Sequence, residues 1–222
     1  MTFRGVVFDF NGTLLWDTGL HNRAWDCFLD SHHISLTDAQ KNRIIHGKNN
    51  NMILDTLFNR KLSQAEQVQY VLQKEGIYQE LYLANEIGYA PGAVNFMEYL
   101  KEQHIPYAIA TASGIENIDF YYSKLGLGSY IDRKFVIYNN HRIRSKPDPE
   151  IFQLAMQKIG LSGHETVIFE DSYAGIEAAE RAGAGKIVIV NSTGADYSRY
   201  GYDVITDFCQ VNRGIFNRHA AL

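Results

Sequence analysis

Five residues of this sequence have side chains suited to chemistry on charged groups, and each lies directly after or close to an apolar stretch. They are Asp9, Thr111, Lys146, Glu170 and Asp171. Three of the five are acids, and like charges that are buried together repel one another strongly. If the fold brings these residues together, the cluster therefore implies a bound cation or a perturbed proton.

The apolar stretches beside these residues have the composition of fully buried strands. Continuous runs rich in Val, Ile and Phe are typical of a parallel sheet with helices on both faces. The predicted strands are Val6–Phe8, Tyr107–Thr111, Phe135–Tyr138, Thr166–Phe169, Lys186–Val190 and a short edge strand at Asp203–Ile205. Ligands of such sheets bind beyond the carboxyl ends of the strands. We therefore expect the five polar residues to meet at one edge of the sheet.

Helical patterns separate most of the predicted strands. They cover Ala93–His104, Ile115–Leu125, Glu150–Ile159 and Ala174–Ala184. Strands that alternate with helices of this length indicate an α/β fold built from βαβ units.

Residues 17–86 interrupt the alternation because they contain helical patterns alone. Thr18 is the predicted N-cap of a helix over Leu20–Leu29, and Ser63 begins a capping box ahead of a long helix. We therefore predict an α/β core of residues 1–16 and 87–222, with an all-helical unit of residues 17–86 inserted after the first strand.

The overall composition argues against several classes of function. The chain has 222 residues, 45% of them hydrophobic, and a net charge of −4. That charge gives no basic surface for nucleic acid or an anionic membrane, and no apolar run approaches the roughly 18 residues of a membrane span. The N-terminal apolar stretch is too short for a signal peptide, and Cys27 and Cys209 form no metal-binding pattern. We therefore expect a cytoplasmic protein with reduced cysteines and with neither a nucleic-acid nor a membrane partner.

Taken singly, the polar motifs also suit ordinary turns: Asn11-Gly12 is a turn signal, and residues 146–149 suit a surface turn ahead of a helix. Their order along the chain is more specific. Four motifs resemble the ordered motifs of the haloacid dehalogenase-like superfamily: Asp9-Phe10-Asn11-Gly12-Thr13, Thr111-Ala112-Ser113, Lys146-Pro147 and Phe169-Glu170-Asp171-Ser172. The helical unit is similar to the C1 cap of the β-phosphoglucomutase and small-metabolite phosphatase branch. The resemblance implies a Rossmann-like parallel sheet core with an inserted all-helical cap domain.

The resemblance also implies a Mg²⁺-dependent phosphohydrolase that acts on a small phosphorylated metabolite. Asp9 would be the nucleophile and would form an aspartyl-phosphate intermediate. The residues implied as Mg²⁺ ligands are Asp9, Asn11 through its backbone carbonyl, Asp171 and, directly or through water, Glu170. The residues implied to contact the phosphoryl group are Thr111, Ala112 and Lys146.

Asn11 departs from the family pattern. The phosphatase and mutase branches carry a second Asp there, which protonates the leaving oxygen and later activates water, and an amide can do neither. Losing that role lowers a rate by about 10²–10⁴-fold. Three interpretations stay open: water or another residue such as His21 takes over, the protein is a weak phosphatase or a catalytically impaired relative that binds metal and phosphate, or the amide is an introduced substitution.

Two other branches of the superfamily also lack the second Asp. Dehalogenases carry Tyr there and work without Mg²⁺, and the acidic pair Glu170-Asp171 argues against that activity. Phosphonoacetaldehyde hydrolases (phosphonatases) carry Ala and form a Schiff base with a cap lysine. Lys48 lies in the corresponding region, although its spacing from Gly47 does not match that motif.

The helical unit is expected to select the substrate. His21 resembles a residue of the first cap helix of β-phosphoglucomutase, which lies near the hinge beside the active site. Residues 45–50 align with the specificity loop of that mutase, where Asn50 replaces an arginine that binds a second phosphate and Lys48 is a further cation. A neutral amide provides no bidentate charged contact, which favours a monophosphate substrate over a sugar phosphomutase reaction. We expect hinges at Gly12 and Pro91-Gly92.

Overall fold

The structure is a computed structural model that describes residues 2–45, 48–140 and 142–216. These residues contain the strands β1 (Gly5–Phe8), β2 (Tyr107–Thr111), β3 (Val136–Tyr138), β4 (Thr166–Glu170), β5 (Lys186–Val190) and β6 (Asp203–Ile205). The strands form one sheet in the order β3-β2-β1-β4-β5-β6, and all neighbours are parallel. The predicted α/β class, a Rossmann-like parallel sheet, is confirmed.

Helices cover the sheet and form the insert after β1. They are α1 (Thr18–Ser31), α2 (Asp38–Ile44), α3 (Asn50–Leu57), α4 (Gln64–Leu83), α5 (Ala93–Glu102), α6 (Ile115–Phe120), α7 (Glu150–Lys158) and α8 (Tyr173–Arg181). We call α1 to α4 the helical insert. None of the helices in the described part of the chain combines the length and apolar character that crossing a bilayer requires.

The sheet is buried on both faces, and the residues of its central strands β1, β2 and β4 are apolar apart from Thr111, Thr166 and Glu170. Along β1, Val6 and Phe8 pack into one hydrophobic cluster and Val7 packs into another on the opposite face. The rings of Phe8 and Phe169 stack at 5.2 Å between centroids on the first face. This two-sided core holds the carboxyl ends of β1 and β4 side by side.

The helical insert has a hydrophobic cluster of its own, which includes Trp25, Phe28, Ile53 and Leu54. The predicted capping box at Ser63 is present at the start of α4. The predicted N-cap at Thr18 is wrong: α1 begins at Thr18, and Asp17 occupies the N-cap position without capping the helix. The carboxylate of Asp17 is instead used by the site described below.

Two segments connect the helical insert to the sheet, and they lie next to each other. The amide of Ala90 donates a 2.8 Å hydrogen bond to the carbonyl of Leu14, and Leu15 forms an antiparallel bridge with Tyr89. The outgoing and returning chain are therefore paired through backbone hydrogen bonds.

Candidate active site

The acidic residues predicted from the sequence meet at the carboxyl edge of the sheet. Asp9 follows β1 and Glu170 ends β4, and these two strands are direct neighbours. Carboxylate oxygens of Asp9, Glu170 and Asp171 lie within 4.8 Å of one another. The parallel register brings the three acids together across 162 residues of sequence.

Lys146 joins two of these acids. Its ammonium nitrogen lies 2.5 Å from Oδ1 of Asp9 and 2.7 Å from Oε1 of Glu170, and its side chain is buried among core residues. Burial disfavours the charged form, but the two carboxylates outweigh it and raise the pKa of Lys146. Lys146 therefore stays protonated and supplies one buried positive charge.

The acids still exceed the positive charge beside them. Burial raises the pKa of Asp9 to about 7, with Lys146 opposing and Glu170 adding to the shift. Burial, Glu170 and Asp9 together raise the pKa of Asp171 well above its usual value. In the described part of the chain, three carboxylates thus face one lysine, and an oxygen-rich, electron-rich cluster of this kind fits Mg²⁺.

Two glycines lack the Cβ atom that would clash with two of these carboxylates. A Cβ at Gly12, whose φ is +81°, would lie 2.1 Å from Oδ2 of Asp171. A Cβ at Gly175 would lie 1.5 Å from Oε1 of Glu170, whose other oxygen accepts a 2.5 Å hydrogen bond from the amide of Ser172. Gly12 and Gly175 therefore allow the acids to approach the backbone closely.

Asn11 is fully hydrogen-bonded. Its Nδ2 donates to Oδ2 of Asp17 and to the hydroxyl of Tyr121, both at 2.7 Å. Its Oδ1 accepts from the hydroxyl of Ser113 at 2.8 Å and from that of Thr111 at 3.4 Å. Because a carboxylate can only accept, the contact with Asp17 fixes which end of the amide is the nitrogen.

Asp17 is a fully buried acid to which the sequence analysis gave no role. It accepts hydrogen bonds from the hydroxyl of Tyr78 at 2.5 Å and the amide of Gly12 at 3.2 Å, and Nε2 of His21 lies 3.3 Å away. Burial acts to raise the pKa of Asp17, but His21 and the hydrogen-bond donors outweigh it and lower that pKa. Asp17 is therefore a carboxylate at neutral pH.

A buried ion pair follows on the side of the helical insert. Lys74 donates to Nδ1 of His21 at 2.9 Å and to Oε1 of Glu75 at 3.0 Å. Glu75 also accepts from Asn50 at 2.6 Å and from Asn117 of α6 at 2.8 Å. The predicted substrate residue Asn50 is thus bonded to Glu75, and Glu75 links the helical insert to the core.

Lys48 also faces the site from the insert. Its ammonium donates to the carbonyl of Arg43 at 2.5 Å, and burial together with the positive charge of Arg43 lowers the pKa of Lys48. The amide of the next residue, Asn49, donates to the hydroxyl of Ser145 at 2.9 Å. His46 and Gly47, which complete the predicted specificity loop, lie outside the described residues.

A cavity of about 120 Å³ lies between the sheet edge and the helical insert. Its lining includes Asp9, Asn11, His21, Lys48, Asn50 and Asp171, and Thr111 and Ala112 also face it. Lys146 lies behind Asp9 and does not line the cavity. The fold thus gathers most of the predicted site residues around one space, while Lys146 and Glu170 lie outside its lining and Lys146 contacts Asp9.

Sequence reasoning missed several residues around this cavity: Asp17, Lys74, Glu75, Tyr78, Asn117 and Tyr121. A signal existed for those on α4, since Lys74 and Glu75 stand three to four residues from Val71 and Tyr78 and share the buried face of that helix. Charged residues on a buried helix face are rare unless they are paired. No local pattern marks Tyr121 or Asn117.

The ordered motifs and this geometry agree with a match to a known family. The sequence model of haloacid dehalogenase-like hydrolases matches residues 3–183. The chain belongs to this family. It is therefore an enzyme of the hydrolase class.

Several relatives of this hydrolase are named for their substrates. The phosphorylated carbohydrates phosphatase of Thermotoga maritima is 27% identical over 82% of this chain and 82% of its own length. Hexitol phosphatase A of Escherichia coli is 29% identical over 85% of this chain and 84% of its own. The crystal structure of a haloacid dehalogenase-like hydrolase of family IA, variant 3, from Entamoeba histolytica superimposes with a TM-score of 0.83 at 28% identity, covering 97% of each chain.

Proposed function

We propose that this hydrolase removes the phosphoryl group of a small phosphorylated metabolite through an aspartyl-phosphate intermediate on Asp9, with Mg²⁺ as cofactor. The observation that carries the proposal is the position of Asp9. Its carboxylate lines the cavity and contacts Lys146, and carboxylate oxygens of Glu170 and Asp171 lie within 4.8 Å of it. A carboxylate nucleophile beside a metal site and a fixed ammonium is suited to phosphoryl transfer, which depends on positioning and charge neutralisation.

Each predicted residue has a role in this proposal. Asp9, Asp171 and the backbone carbonyl of Asn11 would hold Mg²⁺, with Glu170 as a further acidic contact. When bound, the ion would neutralise phosphoryl charge. The hydroxyl of Thr111 and the amide of Ala112 line the cavity as donors to phosphoryl oxygens. Lys146 holds Asp9 in place and offsets its charge.

The helical insert would act as the cap. We propose residues 17–86 as this cap and residues 1–16 and 87–222 as the catalytic core, with hinges at Gly12 and Pro91-Gly92. Closure would exclude water from the phosphoryl group. His21, Lys48 and Asn50 line the cavity from this side. Because the amide of Asn50 is neutral and bonded to Glu75, these contacts favour a monophosphate over the bisphosphate of a mutase reaction.

The relatives support a small substrate. They are named as phosphatases of phosphorylated carbohydrates and of hexitol phosphates. The cavity volume of about 120 Å³ also suits a compact molecule, because pockets for drug-sized ligands measure roughly 300–1,000 Å³.

A screen of small phosphorylated compounds with and without Mg²⁺ tests the proposal. We expect phosphate release that requires Mg²⁺ and is abolished by Asp9→Asn. The matched control is Asp203→Asn, because Asp203 is exposed on the edge strand β6 and its loss should leave turnover unchanged. Binding of Mg²⁺ and inorganic phosphate without turnover of any compound would identify the impaired alternative. Turnover that survives in Asp9→Asn would overturn the role of Asp9.

A further inference from the structure

The leaving group of the reaction can be inferred from what surrounds Asn11, and this inference rests on the proposed function. The family uses an acid at this position to protonate the leaving oxygen. Here both protons of the Asn11 amide are bound, by Asp17 and Tyr121, and its oxygen accepts from two hydroxyls. An amide at neutral pH neither gives nor takes a proton, so position 11 contributes no acid–base chemistry.

Each ring nitrogen of His21, the alternative acid of the sequence analysis, faces a charged side chain. The ammonium of Lys74 can donate hydrogen bonds but cannot accept them. Nδ1 of His21 is therefore the acceptor in their 2.9 Å hydrogen bond. The ring proton then lies on Nε2, which faces the carboxylate of Asp17 at 3.3 Å. The ring also stacks on Tyr78 with 3.9 Å between centroids. Nδ1 is therefore occupied, whereas Nε2 has no hydrogen-bond partner among the described residues and has Asp17 within ion-pair distance.

The other titratable groups on the insert side of the cavity are also engaged. Glu75 accepts hydrogen bonds from Lys74, Asn50 and Asn117, and it stays ionised because Lys74 outweighs its burial and lowers its pKa. Lys48 is turned to the carbonyl of Arg43. In the described part of the chain, Glu75 and Lys48 therefore have protein partners, and Nε2 of His21 is a competing proton donor that the test below has to exclude.

We propose that this enzyme acts on phosphoryl compounds whose leaving group departs as a stable anion, with small acyl phosphates as the substrate class. In the first step a carboxylate oxygen of Asp9 forms a bond to phosphorus. The bond from phosphorus to the acyl oxygen breaks, and its electron pair leaves with the carboxylate product, so no proton is transferred. An alkyl phosphate would release a strongly basic alkoxide and needs the proton that Asn11 cannot give.

The second step is the hydrolysis of the phosphoryl group on Asp9, and it also lacks an acid–base group at position 11. Water attacks the phosphoryl group on Asp9, the bond to Asp9 breaks, and the proton of the water passes to solvent or to the departing phosphate. Without a general base at position 11 this step loses about 10²–10⁴-fold in rate. The aspartyl phosphate therefore accumulates during turnover.

The test measures the dependence of rate on the leaving group. The native chain with Mg²⁺ is given acetyl phosphate, glycerol phosphate and a series of ring-substituted phenyl phosphates. We expect kcat/KM to fall steeply as the leaving group becomes more basic, and acetyl phosphate to exceed glycerol phosphate by at least about 100-fold. We also expect a pre-steady-state burst of one leaving group per enzyme, with a phosphoryl adduct in the intact mass that Asp9→Asn lacks.

Acyl phosphates are intrinsically reactive, so the decisive quantity is the slope within the phenyl series. Asn11→Asp restores an acid at this position and is expected to flatten the slope and shorten the life of the adduct. A flat slope in the native chain would overturn the inference, and a flat slope that steepens in Lys48→Met would assign the proton to Lys48. If no compound reacts and no adduct forms, the proposed function itself fails. If turnover depends on Asp9 but the slope is flat, the proposed function stands and only the leaving-group inference fails.

Discussion

The side-chain amide of Asn11 donates a 2.7 Å hydrogen bond to the carboxylate of Asp17. The same amide donates to Tyr121, the hydroxyl of Tyr121 donates to that of Tyr78 at 3.2 Å, and Tyr78 donates to Asp17 at 2.5 Å. The four side chains close a ring in which each hydroxyl both accepts and donates. Asn11 is thus part of the hydrogen-bonded ring that joins the turn after β1 to α4 and to the segment after α6.

Asn11→Asp should destabilise the protein in a pH-dependent way. It places two carboxylates at the distance of this hydrogen bond, so one must keep a raised pKa. The folded variant then binds a proton that the unfolded chain has released, and its unfolding free energy falls as pH rises. We expect a deficit of about 1–3 kcal/mol at about pH 8 that shrinks towards about pH 5. Urea unfolding measures it. Asn11→Ala, which removes the hydrogen bonds without adding charge, should show a deficit that does not change with pH.

Mg²⁺ should stabilise the protein more at high pH than at low pH. Burial raises the pKa of Asp9 from 3.8 to about 7, so the metal-free folded state binds a proton that the unfolded chain has lost between these values. The unfolding free energy of the metal-free protein therefore falls as pH rises through this window. Since protons compete with the ion, the increase in Tm on adding Mg²⁺ should grow from about pH 5 to about pH 8.

The matched variant for this measurement is Asp171→Asn, which removes one of the three clustered acids. It should lose most of the Mg²⁺-dependent increase in Tm at either pH. An increase of equal size at both pH values in the native chain would contradict a shared site for protons and metal.

Lys146→Met should cost far more stability than Lys48→Met. The first change leaves Asp9 and Glu170 buried without their cation, which costs about 3–5 kcal/mol. The second removes a contact to a carbonyl oxygen and should stay within about 0.5 kcal/mol. Chemical denaturation of both variants without metal gives the comparison. Equal losses would show that Lys146 does not offset the charge of the acidic cluster.

Gly12→Ala should abolish metal binding in addition to straining the backbone. The comparison is Gly160→Ala, since Gly160 has a φ of +72° and nothing within 4 Å of its Cβ position, whereas the Cβ at Gly12 meets Asp171. Both variants should lose about 1 kcal/mol or more of unfolding free energy because of the positive φ. The Mg²⁺-dependent rise in Tm and phosphate release should disappear in Gly12→Ala alone. If Gly12→Ala binds Mg²⁺ as well as Gly160→Ala does, the close approach to Asp171 is not required.

Buried strands and the residues at their ends could be predicted from the sequence. The predicted bounds of Tyr107–Thr111 and Lys186–Val190 agree with the structure, because apolar runs of β-branched residues between polar turns are a strong local signal. The meeting of Asp9, Glu170 and Asp171 followed from one property of parallel sheets, that their carboxyl ends share an edge.

The contacts between the helical insert and the core could not be predicted. The predicted helix over Ile115–Leu125 is α-helical to Phe120 and continues as a π-helical turn from Tyr121, the residue whose hydroxyl meets Asn11. Partners such as Glu75 of the helical insert and Asn117 of the core are 42 residues apart, and their pairing depends on how two folded units dock. Local propensity carries no information on that docking.

The hydrogen bond from the amide of Asn49 to the hydroxyl of Ser145 has an evolutionary consequence. Asn49 belongs to the loop that we propose to face the substrate, and Ser145 directly precedes Lys146, which contacts Asp9. A change of loop conformation that moves the amide of Asn49 would break this hydrogen bond to the residue that precedes Lys146. Under the proposed function, variation in this loop is therefore expected to alter turnover as well as substrate preference.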